Sequence, residues 1–304
     1  MSVLRIATRK SALALWQAEW VKSQLEANGL ACELVMLETI GDKKLDTTIA
    51  KIGSKGVFTE ELEALLQIGE VELAVHSAKD LASELPEGFE LIAFGPREDV
   101  HDVLVSHKEI DVNQPLLIGT SSTRRVAQLA KYYPQFSTTP VRGNLQTRFR
   151  KMEEGACDAL LLAKAGVLRM KNMDMIRYEF PLDQLTPAAG QGSIAVEVHK
   201  ELPSDIRDAI RKATNDPIAE KAILAERAFL REMNGGCSIP VFAHAQLDGD
   251  SINVTGGILS LNGRTELRNN MTGIDSIELG RLLARSILTA GGDVILDEIK
   301  KHLQ

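Results

Sequence analysis

Two similar α/β halves followed by a smaller α+β unit are what this sequence predicts, and three observations carry the prediction. A strand-helix-strand-helix-strand order opens the chain and recurs after residue 115. Ile6-Ala7-Thr8-Arg9, closing the first strand, has a counterpart in Ile118-Gly119-Thr120-Ser121. The last third changes character, with strand-like runs separated by Asp248-Gly249 and Asn262-Gly263, both hairpin signals. A length of 304 residues suits two or three domains.

Taken in order, Val3 to Thr8 reads as a buried strand. Ser11 caps a helix whose apolar face includes Leu15, Ala18, Val21 and Leu25, and Asn28-Gly29 ends it. Leu34 to Leu37 is a second strand. Gly41 to Gly56 is a polar loop long enough to act as a lid. Phe58, Leu62, Leu65 and Leu66 repeat at helical spacing, and Leu73 to His76 is a third strand. This order implies a parallel sheet with right-handed crossovers. In the second half, Leu116 to Ile118, Thr138 to Val141 and Asp158 to Ala163 are strands, with helices running to Lys131 and to about Glu153. Phe89 to Phe94, Val103 to Val105 and Ser193 to Val198 read as strands that cross between the halves, which makes the first domain discontinuous. The final unit starts with a helix opened by Asp216-Pro217. Strands Ile239 to Leu247, Ile252 to Leu261 and Thr265 to Met271 follow, then helices from Ser276 and Asp293. The expected domains are 1–95 with 193–213, then 96–192, then 214–304.

Composition is that of an ordinary globular chain, with 44% apolar and 25% charged residues. No run reaches transmembrane length, and Met1-Ser2-Val3-Leu4-Arg5 reads as entering a strand directly, without a signal-peptide apolar region. Cys32, Cys157 and Cys237 are odd in number and far apart, which argues against a disulfide framework and for a reducing, cytoplasmic setting. The scattered histidines make no metal-ligand spacing, so no metal is expected. Net charge is -7, yet Val112 to Met152 contains no acid and holds Arg124, Arg125, Lys131, Arg142, Arg148, Arg150 and Lys151. Such a window suits an anionic ligand. Nucleic acid is one candidate, with Tyr132, Tyr133, Phe136 and Phe149 available to stack. The acidic remainder favours a small polyanion in a cleft.

Ligands of open α/β sheets gather at the carboxyl ends of the strands. Thr8-Arg9-Lys10-Ser11, His76-Ser77-Ala78-Lys79-Asp80 and Gly119-Thr120-Ser121-Ser122-Thr123-Arg124-Arg125 fall there. The first and third place hydroxyls and guanidiniums at helix N-termini, which favour anions. Ordinary capping by Ser11 and Ser122 is the plainer alternative for either motif alone. Asp80, the lone acid among these motifs, could steady a cation or move protons, or could serve as a salt bridge to Lys79 or a helix cap. A helix ending at Met233 leads into Asn234-Gly235-Gly236-Cys237-Ser238-Ile239-Pro240. The glycines would display the thiol with little bulk before it, against the reading of a buried, inert cysteine.

Together, Arg5-Ile6-Ala7-Thr8-Arg9, the Lys51 to Phe58 loop, His76 to Asp80, Gly119 to Arg125, Arg142-Gly143-Asn144, Thr147-Arg148, Gly190-Gln191-Gly192 and Gly235-Gly236-Cys237 resemble the porphobilinogen deaminase (hydroxymethylbilane synthase) family, in order and with matching spacing. The resemblance runs from about Val3 to the C-terminus. It implies two periplasmic-binding-protein-like α/β domains around a cleft and a third, α+β domain carrying the cofactor cysteine. It implies a dipyrromethane cofactor joined to Cys237 by a thioether, and porphobilinogen as substrate. Four molecules would lose ammonia, add head to tail and leave as 1-hydroxymethylbilane. Each ring carries an acetate and a propionate, which accounts for the basic window.

Carried over by motif, Asp80 would stabilise the cationic methylenepyrrolenine and shuttle protons. Cys237, Lys79, Ser77, Thr120, Ser122, Arg124, Arg125, Arg142 and Gln191 would hold the cofactor. Arg9, Ser11, Arg148 and Arg169 would bind substrate, with Lys51, Lys55 and Phe58 on or beside the mobile loop. The resemblance also implies a monomer with no nucleic-acid or membrane partner, handing its product to the next enzyme. Ala78, Leu81-Ala82 and Thr123 stand where the family has Met, Val-Pro and Leu. Two rivals compete with this reading. One is a non-enzymatic anion-binding protein of the periplasmic-binding type. The other is a cysteine hydrolase, for which only His244 lies near Cys237 in sequence.

Overall fold

The computed structural model describes residues 3–38, 59–236 and 238–303. The predicted Gly41 to Gly56 loop, Lys51, Lys55, Phe58 and Cys237 lie outside the described residues. The chain opens with β1 (Leu4–Arg9), α1 (Ala12–Ala27), β2 (Cys32–Leu37), α2 (Glu60–Gln67), β3 (Leu73–Ser77) and β4 (Phe89–Phe94). It continues with β5 (Asp102–Val105), β6 (Leu117–Gly119), α3 (Thr123–Tyr132), β7 (Ser137–Thr139), α4 (Leu145–Glu153), β8 (Ala159–Ala163), α5 (Lys164–Arg169) and β9 (Ile176–Glu179). Then come β10 (Ile194–His199), α6 (Ser204–Thr214) and α7 (Pro217–Glu232).

Two five-stranded sheets result, ordered β2-β1-β3-β10-β4 and β7-β6-β8-β5-β9. Each has a parallel β-α-β-α-β core, as the repeated pattern predicts. Each is completed by an antiparallel strand donated across the boundary. β10 returns to lie between β3 and β4, and β5 lies between β8 and β9. The two crossing segments run together. Gly95 N–H donates to Ile194 O at 2.9 Å and Glu98 N–H to Gly192 O at 3.0 Å. Gly192 has φ +92, and a Cβ there would stand 2.3 Å from Glu98 O, so only glycine fits this approach.

Local chemistry sets several boundaries. Ser11 Oγ accepts from Ala14 N–H at 3.4 Å and Asp216 Oδ1 from Ala219 N–H at 2.8 Å, each opening its helix. β7 stops at Thr139 rather than at the expected Val141, because Pro140 has no N–H for the ladder. The strand that opens at Val241 starts after Pro240 for the same reason. Short α5, β9 and the polar α6 are elements that periodicity did not reveal.

The last unit packs α7 on the antiparallel sheet β11 (Val241–Asp248), β12 (Ser251–Leu259) and β13 (Glu266–Gly273), with α8 (Ser276–Ile287) and α9 (Asp293–Leu303) beyond it. Asp248 pairs with Ser251 across the first hairpin, and Gly263 turns the second. The core centres on Phe229, Val254, Ile258 and Leu283. Burying a side chain as large as Phe229 is worth about 2–3 kcal/mol. This unit touches both lobes. Ala219 and Ile223 of α7 pack with Ala78, Leu81 and Phe94 of the first lobe. Phe242 and Leu259 pack with Ala127 of α3 in the second. Glu266 accepts from Tyr132 Oη at 2.6 Å and pairs with Lys131 at 3.0 Å. No helix among the described residues is long and apolar enough to cross a membrane.

Candidate functional site

The carboxyl ends of the parallel strands in both sheets carry the motifs singled out from the sequence. β1 ends at Arg9, β3 runs into a single 3-10 turn at Ala78–Asp80, and β6 ends at Gly119 just before Thr120. Arg142 follows β7, and Arg148 lies one turn into α4, where Asn144 Oδ1 accepts from Thr147 N–H at 2.9 Å to cap the helix. Arg148 Nε donates to Gly143 O at 2.8 Å.

These side chains act on one another electrostatically. Burial pushes the Arg148 guanidinium down to about 10, Arg125 adds to the shift, Asp80 opposes it, and Arg9 and Arg142 add further. Burial pushes the Lys79 ammonium down to about 8, with Arg125 adding to the effect and Asp80 and Asp102 opposing it. Asp80, itself exposed, is thus felt by Lys79 of its own lobe and by Arg148 of the other. One carboxylate stands among cations drawn from both lobes.

Arg124 and Arg125 are anchored more firmly than their position at the start of α3 suggests. Asp102, at 0% exposure, accepts from Arg124 Nη2 at 2.8 Å and from Arg125 Nη2 at 2.6 Å. Arg124 Nη1 also donates to Gln128 Oε1 at 2.9 Å and Thr186 O at 2.7 Å. Arg125 Nη1 donates to Leu161 O at 2.9 Å, while its buried Nε has no partner among the described residues. Burial alone would raise the Asp102 carboxyl, but the two guanidiniums overcome this and hold it well below the usual carboxylate range. Gln191 bridges the lobes. Its Nε2 donates to Asp102 Oδ1 at 2.9 Å and Val100 O at 2.7 Å, and its Oε1 accepts from Lys79 Nζ at 3.4 Å.

The hydroxyls divide. Ser11 caps α1, but Ser122, the N-cap of α3, makes no capping hydrogen bond with its side chain, leaving that hydroxyl to other use. Thr120 Oγ1 accepts from Ser122 N–H at 3.3 Å. Ser77 Oγ accepts from Gln17 Nε2 at 2.8 Å. Arg169 has a different setting. It stacks over Trp16 with its Cζ 5.2 Å from the ring centroid, donates to Gly192 O at 2.7 Å, and lines a cavity of about 180 Å³ with Trp20, Arg97 and Glu98. Its buried Nε is likewise without a partner.

Several contributors escape sequence reasoning. Asp102 lies before the acid-free window, with Glu109 and Asp111 in between, and its only signal is an acid opening an apolar strand. Glu226, at 0% exposure, accepts from Arg97 Nη1 at 2.6 Å, Gly190 N–H at 2.7 Å and Ala245 N–H at 2.7 Å, tying both crossing segments to the third unit. Its signal was readable, since Ala222, Glu226 and Phe229 share one helical face. Asp99, His101 and Glu179 come close enough to suggest a cation site, but the Lys164 ammonium pairs with both acids there. His244 is buried and pushed down to about 4, first by burial and then by Arg97 and His101 against the pull of Glu226. Cys32 is buried and its thiol is raised to about 11, and burial raises Cys157 also, so neither is poised to react.

Cations from both lobes thus stand around the exposed carboxylate of Asp80, the arrangement of a protein class that binds anionic ligands. The profile described as "Porphobilinogen deaminase, dipyromethane cofactor binding domain" matches residues 4–206, and that of the "Porphobilinogen deaminase, C-terminal domain" matches residues 221–289. The chain belongs to the porphobilinogen deaminase family. Proteins named porphobilinogen deaminase from Cytophaga hutchinsonii and Desulfosudis oleivorans are 52% and 49% identical to it, covering 99% and 98% of this chain and 98% of each relative. One from Geobacter sulfurreducens is 42% identical over 97% of this chain and 94% of its own. A nutrient binding protein from Burkholderia cenocepacia, solved bound to methionine, is 11% identical with a TM-score of 0.45, over 72% of this chain and 94% of that one, too distant to weigh on fold or function. The chain is therefore a transferase of tetrapyrrole biosynthesis with a dipyrromethane cofactor, and the non-enzymatic and hydrolase readings fall away.

Proposed function

We propose that Asp80 and the cations around it carry out the stepwise condensation of four porphobilinogen molecules, each losing one ammonia, after which water cleaves the bond to the cofactor and releases 1-hydroxymethylbilane. The observation that carries this reading is the single carboxylate of Asp80 acting on Lys79 of one lobe and Arg148 of the other. The orphaned Nε atoms of Arg125 and Arg169 suit a ligand rich in carboxylates, because a buried guanidinium N–H left unpaired is costly. Bound through a thioether to Cys237, the dipyrromethane would supply the free pyrrole carbon that takes the first ring, each later ring joining the one before it.

The protein's own groups do the rest. Asp80 faces the substrate carbon as ammonia departs and steadies the positive charge that develops there. It then takes the proton displaced from the ring at which the new bond forms. Arg9, Arg148 and Arg169, with Ser11, hold the acetate and propionate of the incoming molecule. Arg125, Arg142, Ser77, Thr120 and Ser122 hold those already joined, and Lys79 binds carboxylates of both cofactor and substrate. Arg124 braces Arg125 through their shared Asp102, and Gln191 orients Lys79. Lys51, Lys55 and Phe58, which lie outside the described residues, are assigned to substrate binding as well. The domains we assign are 1–95 with 193–213, then 96–192, then 214–304. The protein acts as a cytoplasmic monomer and passes its product to the next enzyme.

Intact mass of the native protein tests the attachment. It is expected to exceed the sequence mass by one dipyrromethane unit, mapped to the peptide containing Cys237. Fully active protein of unmodified mass would end this reading.

Lys79 makes the site sensitive to pH. With its ammonium lowered to about 8 before ligand binds, carboxylate affinity is present below that pH and weakens as pH rises through it. KM for porphobilinogen is expected to climb above about pH 8 in the parent, and Lys79→Gln to start with a high KM that lacks this climb. A parallel rise in both proteins would remove Lys79 from substrate or cofactor binding.

A further inference from the structure

We propose that Arg227 of α7 is a positioning residue that fixes Asp80 in the cleft by clamping the backbone just after it. This rests on the role given to Asp80 above. Arg227 Nη2 donates to Ala82 O at 2.8 Å and to Ser83 O at 3.3 Å. Those two carbonyls need a holder. The 3-10 turn ends at Asp80, and residues 82–85 take part in no described backbone–backbone hydrogen bond. Leu81, 5% exposed, is gripped by Ala219 and Ile223 of the same helix. α7 thus holds the chain after Asp80 by an apolar contact and by a charged fork, with an exposed pairing of Arg231 to Glu84 beyond them.

On the other side of Asp80 the chain is equally constrained. Ala78 N–H donates to Ser193 O at 3.0 Å, and Gly190 comes so close that a Cβ there would lie 2.9 Å from the Ala78 carbonyl carbon. Burial and then the nearby Arg231 push the Arg227 guanidinium down to about 10, against the pull of Glu197, a fully buried acid whose Oε2 is 2.8 Å from His76 Nε2. One residue earlier on α7, Glu226 grips Arg97 and Gly190 of the crossing segments. A single helix therefore sets the Asp80 turn and the crossing segments relative to each other. Catalytic geometry tolerates little error, and a misplacement of about 1 Å costs on the order of a hundredfold.

The test uses holoenzyme throughout. Arg227→Met is expected to lower kcat about tenfold or more with KM within about twofold of the parent and cofactor content unchanged. Arg227→Lys keeps the cation beside Glu197, folds even where Met does not, and is expected to lower kcat about threefold. Arg231→Met removes an exposed pairing with Glu84 at 3.4 Å and a like charge near Arg227, leaves both Arg227 hydrogen bonds in place, and is expected to leave kcat at the parental value.

Rescue separates position from charge. Leu81 sits at φ -76, ψ 143, which suits a residue before proline, and no described hydrogen bond uses the Ala82 N–H. Ala82→Pro added to either Arg227 variant is expected to stiffen the segment and restore most of kcat. Parental kcat in whichever Arg227 variant folds, or a loss that proline leaves untouched, would overturn the positioning role. Asp80→Asn run in parallel keeps the two ideas apart. If it is crippled while the Arg227 variants are normal, only the clamp is wrong, and if it turns over normally the role of Asp80 itself is wrong.

Discussion

Asp80→Asn is expected to lose about a hundredfold or more in turnover while still carrying its cofactor. The substitution keeps the shape of the side chain and removes only the charge. One preorganised electrostatic partner of a developing charge is typically worth on the order of 3 kcal/mol, which is that factor in rate. The neighbourhood makes the loss specific. The cations around Asp80 bind carboxylates well but repel a cation forming between them, and Asp80 is the group that reverses the local sign. Because Asp80 also supports the protonated form of Lys79, its loss is expected to move the rise in KM to lower pH. Single-turnover release of ammonia measures the chemical step directly. Turnover within a few-fold of the parent would take the cation-stabilising role away from Asp80.

Asp102→Asn is expected to unfold the second lobe more readily, by about 3–5 kcal/mol, the usual range for breaking a buried ion pair. Arg124 and Arg125, 5% and 6% exposed, would be left sharing a neutral amide. Arg125→Leu is milder for the fold, because Asp102 keeps Arg124, and its cost is expected in cofactor assembly instead. The same pairing has a pH signature. The Asp102 carboxyl is depressed in the folded state, so its stabilisation is fully present above the unfolded value of about 3.9 and is lost as pH falls below it. Thermal melts of Asp102→Asn and the parent, taken at neutral and acid pH, are expected to differ most at neutral pH. Melts that superimpose at neutral pH would show that the pairing contributes nothing net.

By itself the sequence determined what is local. Apolar alternation and helical spacing place nearly every strand and long helix within a few residues, because caps, glycine turns and side-chain period act over short stretches. It also determined the chemistry on offer, since Asp80 is the lone acid among basic strand ends and Cys237 follows two glycines. Tertiary structure decided what depends on partners distant in the chain. Glu197 sits on a strand that pairs back to β3, so its meeting with His76 requires the whole second lobe to have been crossed and left again. Asp102 is an unremarkable acid until β5 is inserted beside β8, where exclusion of water makes the Arg124 and Arg125 guanidiniums its necessary partners. Which arginines of the basic window are committed to the fold and which retain a donor for a ligand follows from that burial. A charge stripped of water must find its counter-charge wherever the fold has put one.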